Sequence, residues 1–303
     1  MKKYAIKRAN VDFGFRKSNY NVKGSRVKFV VVDNKGNMAF FKYERLDYKV
    51  SEASSEKIAY EIAKVLGYKC ARIELATDNK NVLGVLNYWF DNITGMMEHT
   101  DIVSYFNKEE EERSKFYTIS NIKRVLDALD VSLFADFLKI MVFDALIGEQ
   151  DRHEENWGIR IINQHYEISP LYDNGCSLLR EFKNEDYAML FYNKLKDFDA
   201  LIRKSKTLIY KENGKSKYKH FELIEYLYEN YPNLIYNEIQ NLYKLTDQKI
   251  MKIVNSIPDE LLTNIHKKYI IEYLIKRRNI LLQIINWGDK CESRVMVNLE
   301  TTR

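Results

Sequence analysis

Asp151 and Asn156 stand five positions apart in "DRHEEN", and Asp173 follows seventeen positions after Asn156 in "YDNG", two before Gly175. These are hard oxygen donors on short polar segments. Such a set suits phosphoryl transfer from ATP, in which one carboxylate orients an acceptor hydroxyl and takes its proton. Other oxygen ligands then hold Mg2+ against the phosphates. On this reading Asp151 is the base, and Asn156 and Asp173 are the metal ligands. Two other readings compete. A lone D-x-x-x-x-N is common, and a solvated charged turn is its ordinary meaning. His153 and Glu154 also raise a metalloprotease pair, but H-E-x-x-H needs a second histidine where Trp157 stands. Within the loop, Arg152 and His153 are read as braces, and Glu154 and Glu155 as solvent-facing.

Phosphoryl transfer also needs a grip on the nucleotide, and the upstream half offers one. Lys42 ends the run "AFFK", and a lysine there reaches the α- and β-phosphates when an acid on the next helix holds it. Glu56 and Glu61 are the two candidates for that acid; Glu56 lies beside the apolar stripe and Glu61 between Tyr60 and Ile62. The commoner fate of a single lysine is to snorkel from an edge strand. Two aromatic residues just before Lys42 argue instead for a buried strand, where a free ammonium is costly. Ahead of that hairpin, backbone amides near Gly24 and Ser25, with Arg26 and Lys28, form a basic turn able to cradle phosphates. Neither G-x-G-x-x-G nor G-x-x-x-x-G-K-[ST] occurs, which speaks against a Rossmann or P-loop nucleotide site.

The elements that must position these groups can be read from periodicity. "VKFVVVDNKGNMAFFKYE" is a hairpin turning at Asp33 to Gly36. In "SEASSEKIAYEIAKVLGY", Ile58, Ile62, Val65 and Leu66 recur at helical spacing, serines offer N-caps and Gly67 stops the pattern. "CARIELAT" and "NVLGVLNYWF" read as two more strands. Beyond Asn92 the texture becomes helical: Leu133, Phe134, Phe137, Leu138, Met141, Val142 and Leu146 trace a buried central helix running into the Asp151 loop. "WGIRIINQHYEIS" is a second hairpin that separates Asn156 from Asp173. From about Asp199 helical patterns continue to the end, interrupted by "YKENGKSKYKH", Pro232 and Pro258. The fold class expected is α+β: a small β-rich lobe over residues 1–92 and a larger, mostly helical lobe over 93–303.

Bulk properties narrow the class. A chain of 303 residues, 46% hydrophobic and 30% charged, is that of a soluble globular protein. A net charge of +5 on 48 basic and 43 acidic side chains is a weak argument for a polyanionic partner. Cys70, Cys176 and Cys291 are odd in number and far apart, against a disulfide framework and for a reducing cytoplasm. "MKKYAIKRANVDFGF" lacks the apolar run of a secretory signal. "VSLFADFLKIMVFDALIG" is broken by Asp136, Lys139 and Asp144, against a membrane span. The lysine-rich "RKSKTLIYKENGKSKYKH" is read as a solvated loop, so no direct nucleic-acid contact is expected.

Taken in order, the segments "KGSRVKFVVVD", "AFFKYE", "EKIAYEIAKVLGYKCARIEL", "FDALIGEQDRHEENWGI", "ISPLYDNGCSLL" and "IIEYLIKRRNIL" resemble the HipA-like kinases, a family that includes bacterial serine/threonine kinase toxins. The resemblance implies a two-lobed protein-kinase-like fold, ATP with Mg2+, and transfer to a serine or threonine of a protein substrate. By the same resemblance, Lys42, Asp151, Asn156 and Asp173 sit at the matching motif positions. Gly24, Arg26 and Lys28 match the phosphate loop, and Glu56 best matches the helix acid. It further implies a toxin or regulatory effector, with an antitoxin-like protein as a partner. The chain looks like the compact members that lack an extra N-terminal subdomain. Many relatives carry an autophosphorylated serine where Asn21 stands, leaving Ser18 and Ser25 as nearby substitutes. A nucleotide-binding pseudokinase and a phosphoinositide-kinase-like lipid kinase are the alternatives.

Overall fold

The computed structural model describes residues 2–9, 28–44, 51–90, 116–180, 189 and 193–300. Gly24, Ser25 and Arg26 of the expected phosphate loop, together with Ser18 and Asn21, lie outside the described residues, as does the expected division between residues 92 and 93.

A five-stranded sheet forms the first part. Its strands are β1 (Lys7–Arg8), β2 (Lys28–Val32), β3 (Met38–Tyr43), β4 (Ile73–Thr77) and β5 (Leu83–Tyr88), in spatial order β1-β4-β5-β3-β2. Only the β1–β4 pairing is parallel; the others are antiparallel. Because side chains alternate along a strand, each strand serves two faces. Val31, Ala39, Phe41, Ala76, Leu86 and Tyr88 gather on one face in a small apolar cluster. Ile73, Leu75 and Val85 join the main core on the other, against helix α1 (Glu52–Leu66). Lys42 follows Phe41 and is therefore turned toward the α1 side. Gly84 is needed beside it: a Cβ there would come within 2.3 Å of the Lys42 carbonyl oxygen and 2.9 Å of the Phe41 ring.

The second part is mostly helical: α2 (Ile119–Leu129), α3 (Leu133–Ile147), α4 (Leu195–Lys204), α5 (His220–Asn230), α6 (Pro232–Asn241), α7 (Asp247–Asn255) and α8 (Asn264–Glu300). Helix α3 is buried nearly all round, Asp144 included, and α5, α6 and α8 pack against it. Its end is set by Gly148 at φ +72, a left-handed cap at which a Cβ would lie 2.0 Å from the Tyr273 hydroxyl. Two strands, β6 (Ile159–Ile162) and β7 (His165–Ile168), form a hairpin whose turn puts Asn163 and Gln164 at positive φ. A single core runs from α1 and β4 through α3 to α8, so sheet and helices share one apolar interior.

Two expectations need correction. The interruption at "YKENGKSKYKH" is not merely a break between helices. It is part of a third hairpin, β8 (Lys206–Tyr210) with β9 (Lys217–Lys219), in which Thr207, Ile209 and Tyr218 are buried. The Asn213–Gly214 pair supplies its turn, with Gly214 at φ +67. Glu154, expected in solvent, is only 5% exposed.

Candidate active site

The lysine grip is built by strand β3 and the start of α1. Glu44, two positions past Lys42, accepts from the backbone N–H of Glu52 at 2.9 Å, from that of Ala53 at 3.0 Å and from the Ser51 hydroxyl at 2.6 Å. Ser51 in turn accepts from the Ser54 N–H at 3.0 Å. Both side chains satisfy amides that have no partner within the helix, and the carboxylate sits at the positive end of the helix dipole. The strand end is thereby fastened to the helix start. One turn along, Glu56 Oε1 lies 3.3 Å from Lys42 Nζ, in a site where both residues are buried. Lys42 Nζ also meets Asp173 Oδ1 at 3.0 Å. The other oxygen of Glu56 accepts from the Asn174 N–H at 3.2 Å, so this carboxylate joins the lysine to the segment bearing Asp173. Glu61 is engaged elsewhere, with Lys57 at 2.8 Å and Lys64 at 3.0 Å. Strand register sets Lys28 directly opposite Lys42.

Asp173 has a backbone φ of +53, a left-handed conformation that aspartate tolerates better than branched residues. Hydrogen bonds from the Leu171 N–H to the Lys69 carbonyl and from the Ala71 N–H to the Leu171 carbonyl anchor the chain just before it. Asp151 and Asn156 lie on the loop that leaves α3. The loop is organised by Arg152, only 4% exposed. Its Nε and Nη2 donate to Asp144 at 3.0 and 2.9 Å, and Nη1 donates to the carbonyls of Asn156 and Tyr172, both at 2.7 Å. Nη2 also donates to Asn174 Oδ1 at 2.6 Å. One guanidinium thus ties the backbone at Asn156 to the backbone one residue before Asp173. Burial pushes the Asp144 carboxyl up; for the Arg152 guanidinium desolvation is outweighed by the Asp144 charge and hydrogen bonds, which hold it above its usual range, so the pair is an ion pair with Arg152 firmly protonated.

Asp151 is exposed, while its backbone is held on both sides. Its N–H donates to Glu149 Oε1 at 2.9 Å, and its carbonyl accepts from Asn156 Nδ2 at 2.7 Å. The Cys176 thiol approaches Asp151 Oδ2 at 3.6 Å. Glu149 is 1% exposed, and burial, helped by the charges of Asp144 and Asp173, pushes its carboxyl up to about 8. Below the loop, Tyr117 donates to the Arg152 carbonyl at 3.0 Å and accepts from Trp157 Nε1 at 2.9 Å. His220 Nε2 lies 2.7 Å from the Glu149 carbonyl oxygen, and burial beside Arg277 pulls its pKa down to about 3, so it is neutral.

The donor set fits a magnesium ion carried by nucleotide phosphates. Asn156 spends its amide N–H on Asp151, and its Oδ1 accepts no hydrogen bond among the described residues. The Asp173 side chain is 36% exposed. An amide oxygen and a carboxylate, completed by phosphates and water, match the preference of Mg2+ for few protein ligands. No group of three or more His, Cys, Asp or Glu side chains suited to a metal gathers among the described residues.

Sequence spacing singled out Lys42, Asp151, Asn156 and Asp173 and left Glu56 and Glu61 open, and the fold brings Lys42, Glu56 and Asp173 into direct contact. It did not single out Glu44, Asp144, Glu149 or Asn174, which hold those groups in place. Asp144 left a trace, as the lone acid in the last two turns of an apolar helix; the others left none.

Comparison with known proteins gives the class. Residues 20–242 match the model of the HipA-like C-terminal domain, and the chain belongs to that family. Among individual relatives, the serine/threonine-protein kinase CtkA of Helicobacter pylori (strain J99) is 26% identical over 241 residues, covering 76% of this chain and 71% of CtkA. The crystal structure of the Helicobacter pylori proinflammatory kinase CtkA superposes with a TM-score of 0.72 at 17% identity, covering 89% of this chain and 96% of that one. HipA of Shewanella oneidensis MR-1, solved with HipB and operator DNA, gives a TM-score of 0.54 at 16% identity, covering 88% of this chain and 64% of HipA. These likenesses establish a two-lobed, kinase-like α+β fold. No helix among the described residues is long and apolar enough to cross a membrane.

Proposed function

We propose that this chain is an ATP- and Mg2+-dependent protein serine/threonine kinase of HipA-like type, acting as a toxin or a regulatory effector in the cytoplasm. The observation that carries the reading is the contact of Lys42 with both Glu56 and Asp173, the latter on a segment that Arg152 ties to the loop of an exposed Asp151 whose backbone is clamped at N–H and carbonyl. Lys42, held by Glu56, reaches the α- and β-phosphates. Gly24, Ser25 and Arg26, ahead of β2, and Lys28, its first residue, are the groups assigned to the phosphates. Asn156 Oδ1 and Asp173 would hold a magnesium ion, which would neutralise charge developing on the phosphoryl oxygens. Asp151 accepts the proton of the acceptor hydroxyl as that oxygen bonds to the γ-phosphorus and the bond from the γ-phosphorus to the β–γ bridging oxygen breaks, releasing ADP. Catalysis in such a site is chiefly positioning and electrostatics, which is what the Arg152 and Glu149 bonds supply. The lobes divide near residue 92, and an antitoxin-like protein is a candidate partner.

The test is transfer of labelled phosphate from ATP with Mg2+ to a panel of serine- and threonine-containing proteins and to the chain itself. Wild type should label an acceptor, and Asp151→Ala and Asp173→Ala should not. Equal labelling by all three contradicts the assignment. A thermal shift with ATP and no transfer to any acceptor favours a pseudokinase, and transfer to phosphoinositides favours a lipid kinase.

A further inference from the structure

Residues 203–219, the end of α4 and the β8–β9 hairpin, hold seven basic side chains against one acid, Glu212. That is a net +6 within a chain whose total is +5, so everything else sums to −1. The positive charge is therefore concentrated in one element. Alternation along the strands separates its two faces. Thr207, Ile209 and Tyr218 point into the core; on the opposite face Lys206 and Lys219 are exposed, and Lys217, Leu208 and Tyr210 are half-buried, the last two against the edge of the core. Lys206 stands directly opposite Lys219 in the register. Like charges at that separation destabilise a hairpin. No salt bridge to Lys204, Lys206, Lys215, Lys217 or Lys219 is found among the described residues, whereas Lys211 is paired with Glu222. The half-buried Leu208 and Tyr210 give the same face an apolar centre, with Lys217 Nζ 5.2 Å from the Tyr210 ring centroid.

The hairpin is also joined to the catalytic loop at two points. His220, immediately after β9, contacts the Glu149 carbonyl at 2.7 Å. At the far end of β8, the Tyr210 N–H donates to the Tyr117 carbonyl at 2.9 Å, and the Tyr117 hydroxyl donates to the Arg152 carbonyl. A ligand on this face is held on the same rigid frame as Asp151.

We infer that the outward face of the β8–β9 hairpin docks an acidic segment of the acceptor protein and delivers its serine or threonine to Asp151. The inference rests on the protein-kinase reading above. An acidic polypeptide fits better than nucleic acid because the face is short, has an apolar centre, and carries acids close by at Glu212 and Glu222. Charge at such a rim steers encounter and sets partner choice.

The experiment compares wild type with the double variant Lys206→Glu, Lys217→Glu. The probes are a fluorescein-labelled peptide of glutamate and glycine around one serine, its lysine-for-glutamate counterpart, and a single-stranded oligonucleotide. Binding is read by anisotropy over a salt series, and phosphate transfer from ATP is read separately. The expected result is binding of the acidic peptide alone, weakened about tenfold or more in the variant, with KM for the peptide raised and KM for ATP unchanged. Lys206→Gln, Lys217→Gln should fall between the two. Acidic-peptide binding that is absent, or equal in wild type and variant, overturns the inference. So does tighter, steeply salt-dependent binding of the oligonucleotide. If the peptide binds as expected but wild type transfers no phosphate to any acceptor, docking stands as binding and the kinase reading is what fails.

Discussion

The Asp151 loop and the β8–β9 hairpin are both dense in charge, and in the sequence they look alike. In the structure they are opposites. Around the loop, Arg152, Asp144 and Glu149 are buried and bonded to one another or to backbone groups, so that Asp151 is presented from a stiff frame. On the hairpin, Lys206, Lys215 and Lys219 are exposed and make no ion pairs among the described residues. Charge that is buried and paired holds a conformation; charge that is exposed and unpaired is available to a partner. Composition cannot tell these apart, because the difference lies in what packs around each group.

The contrast predicts very different sensitivities. The largest effect belongs to Arg152→Met, which strands Asp144 in the core and releases two backbone carbonyls. Urea unfolding should show a loss of about 3–5 kcal/mol. A loss below about 1 kcal/mol, the range of ordinary surface substitutions and exposed pairs, would erase the distinction between the regions. Next is Gly148→Ala, at the hinge between α3 and the loop. The left-handed backbone and the crowding by Tyr273 together predict a loss of about 2 kcal/mol or more. Tyr273→Phe in the same chain removes the crowding oxygen and should restore part of it, measured by the same denaturation.

Glu149→Gln sharpens the comparison through pH. The folded state keeps the Glu149 proton up to about pH 8, whereas the unfolded chain releases it near 4.5. Between those values the folded state binds more protons, so wild-type stability falls as pH rises. Glutamine does not titrate. The melting temperature of the variant, relative to wild type, should therefore climb from pH 5 to pH 8. A difference that stays flat would mean that Glu149 is charged in the fold. The smallest effect belongs to the hairpin: Lys206→Glu should change stability by no more than about 0.5 kcal/mol, in the stabilising direction because it faces Lys219. A large destabilisation there would make the lysines structural and undercut the docking surface.

How much was legible in the sequence follows from the same physics. Asp151, Asn156 and Asp173 could be proposed because the chemistry assigned to them demands particular side chains at short intervals on two loops. The hairpins at Asp33 to Gly36 and at Asn163–Gln164 could be read from alternation and turn residues. The β8–β9 hairpin carried the same signals, Thr207 and Ile209 alternating toward Asn213–Gly214, but its lysines masked them. Spacing left Glu56 and Glu61 open, since both lie on one helix and only the docking of α1 beside β3 decides which meets Lys42. Glu44 and Glu149 act mainly by accepting from backbone N–H groups, which carry no residue-type signature at the partner, and Asn174 acts through its own N–H to Glu56 and its amide oxygen to Arg152, partners far away in sequence. Such supporting groups become visible only when the fold closes.

The most direct test of the central claim is the rate of phosphate transfer from ATP to a serine-containing protein acceptor by Asp151→Asn, measured beside an ATP-dependent thermal shift. Asparagine preserves shape and the backbone clamp from Glu149 and Asn156 while removing the proton acceptor. An undiminished thermal shift and a turnover lower by about a hundred- to ten-thousand-fold are expected. Turnover equal to wild type, with ATP still bound, would contradict that claim.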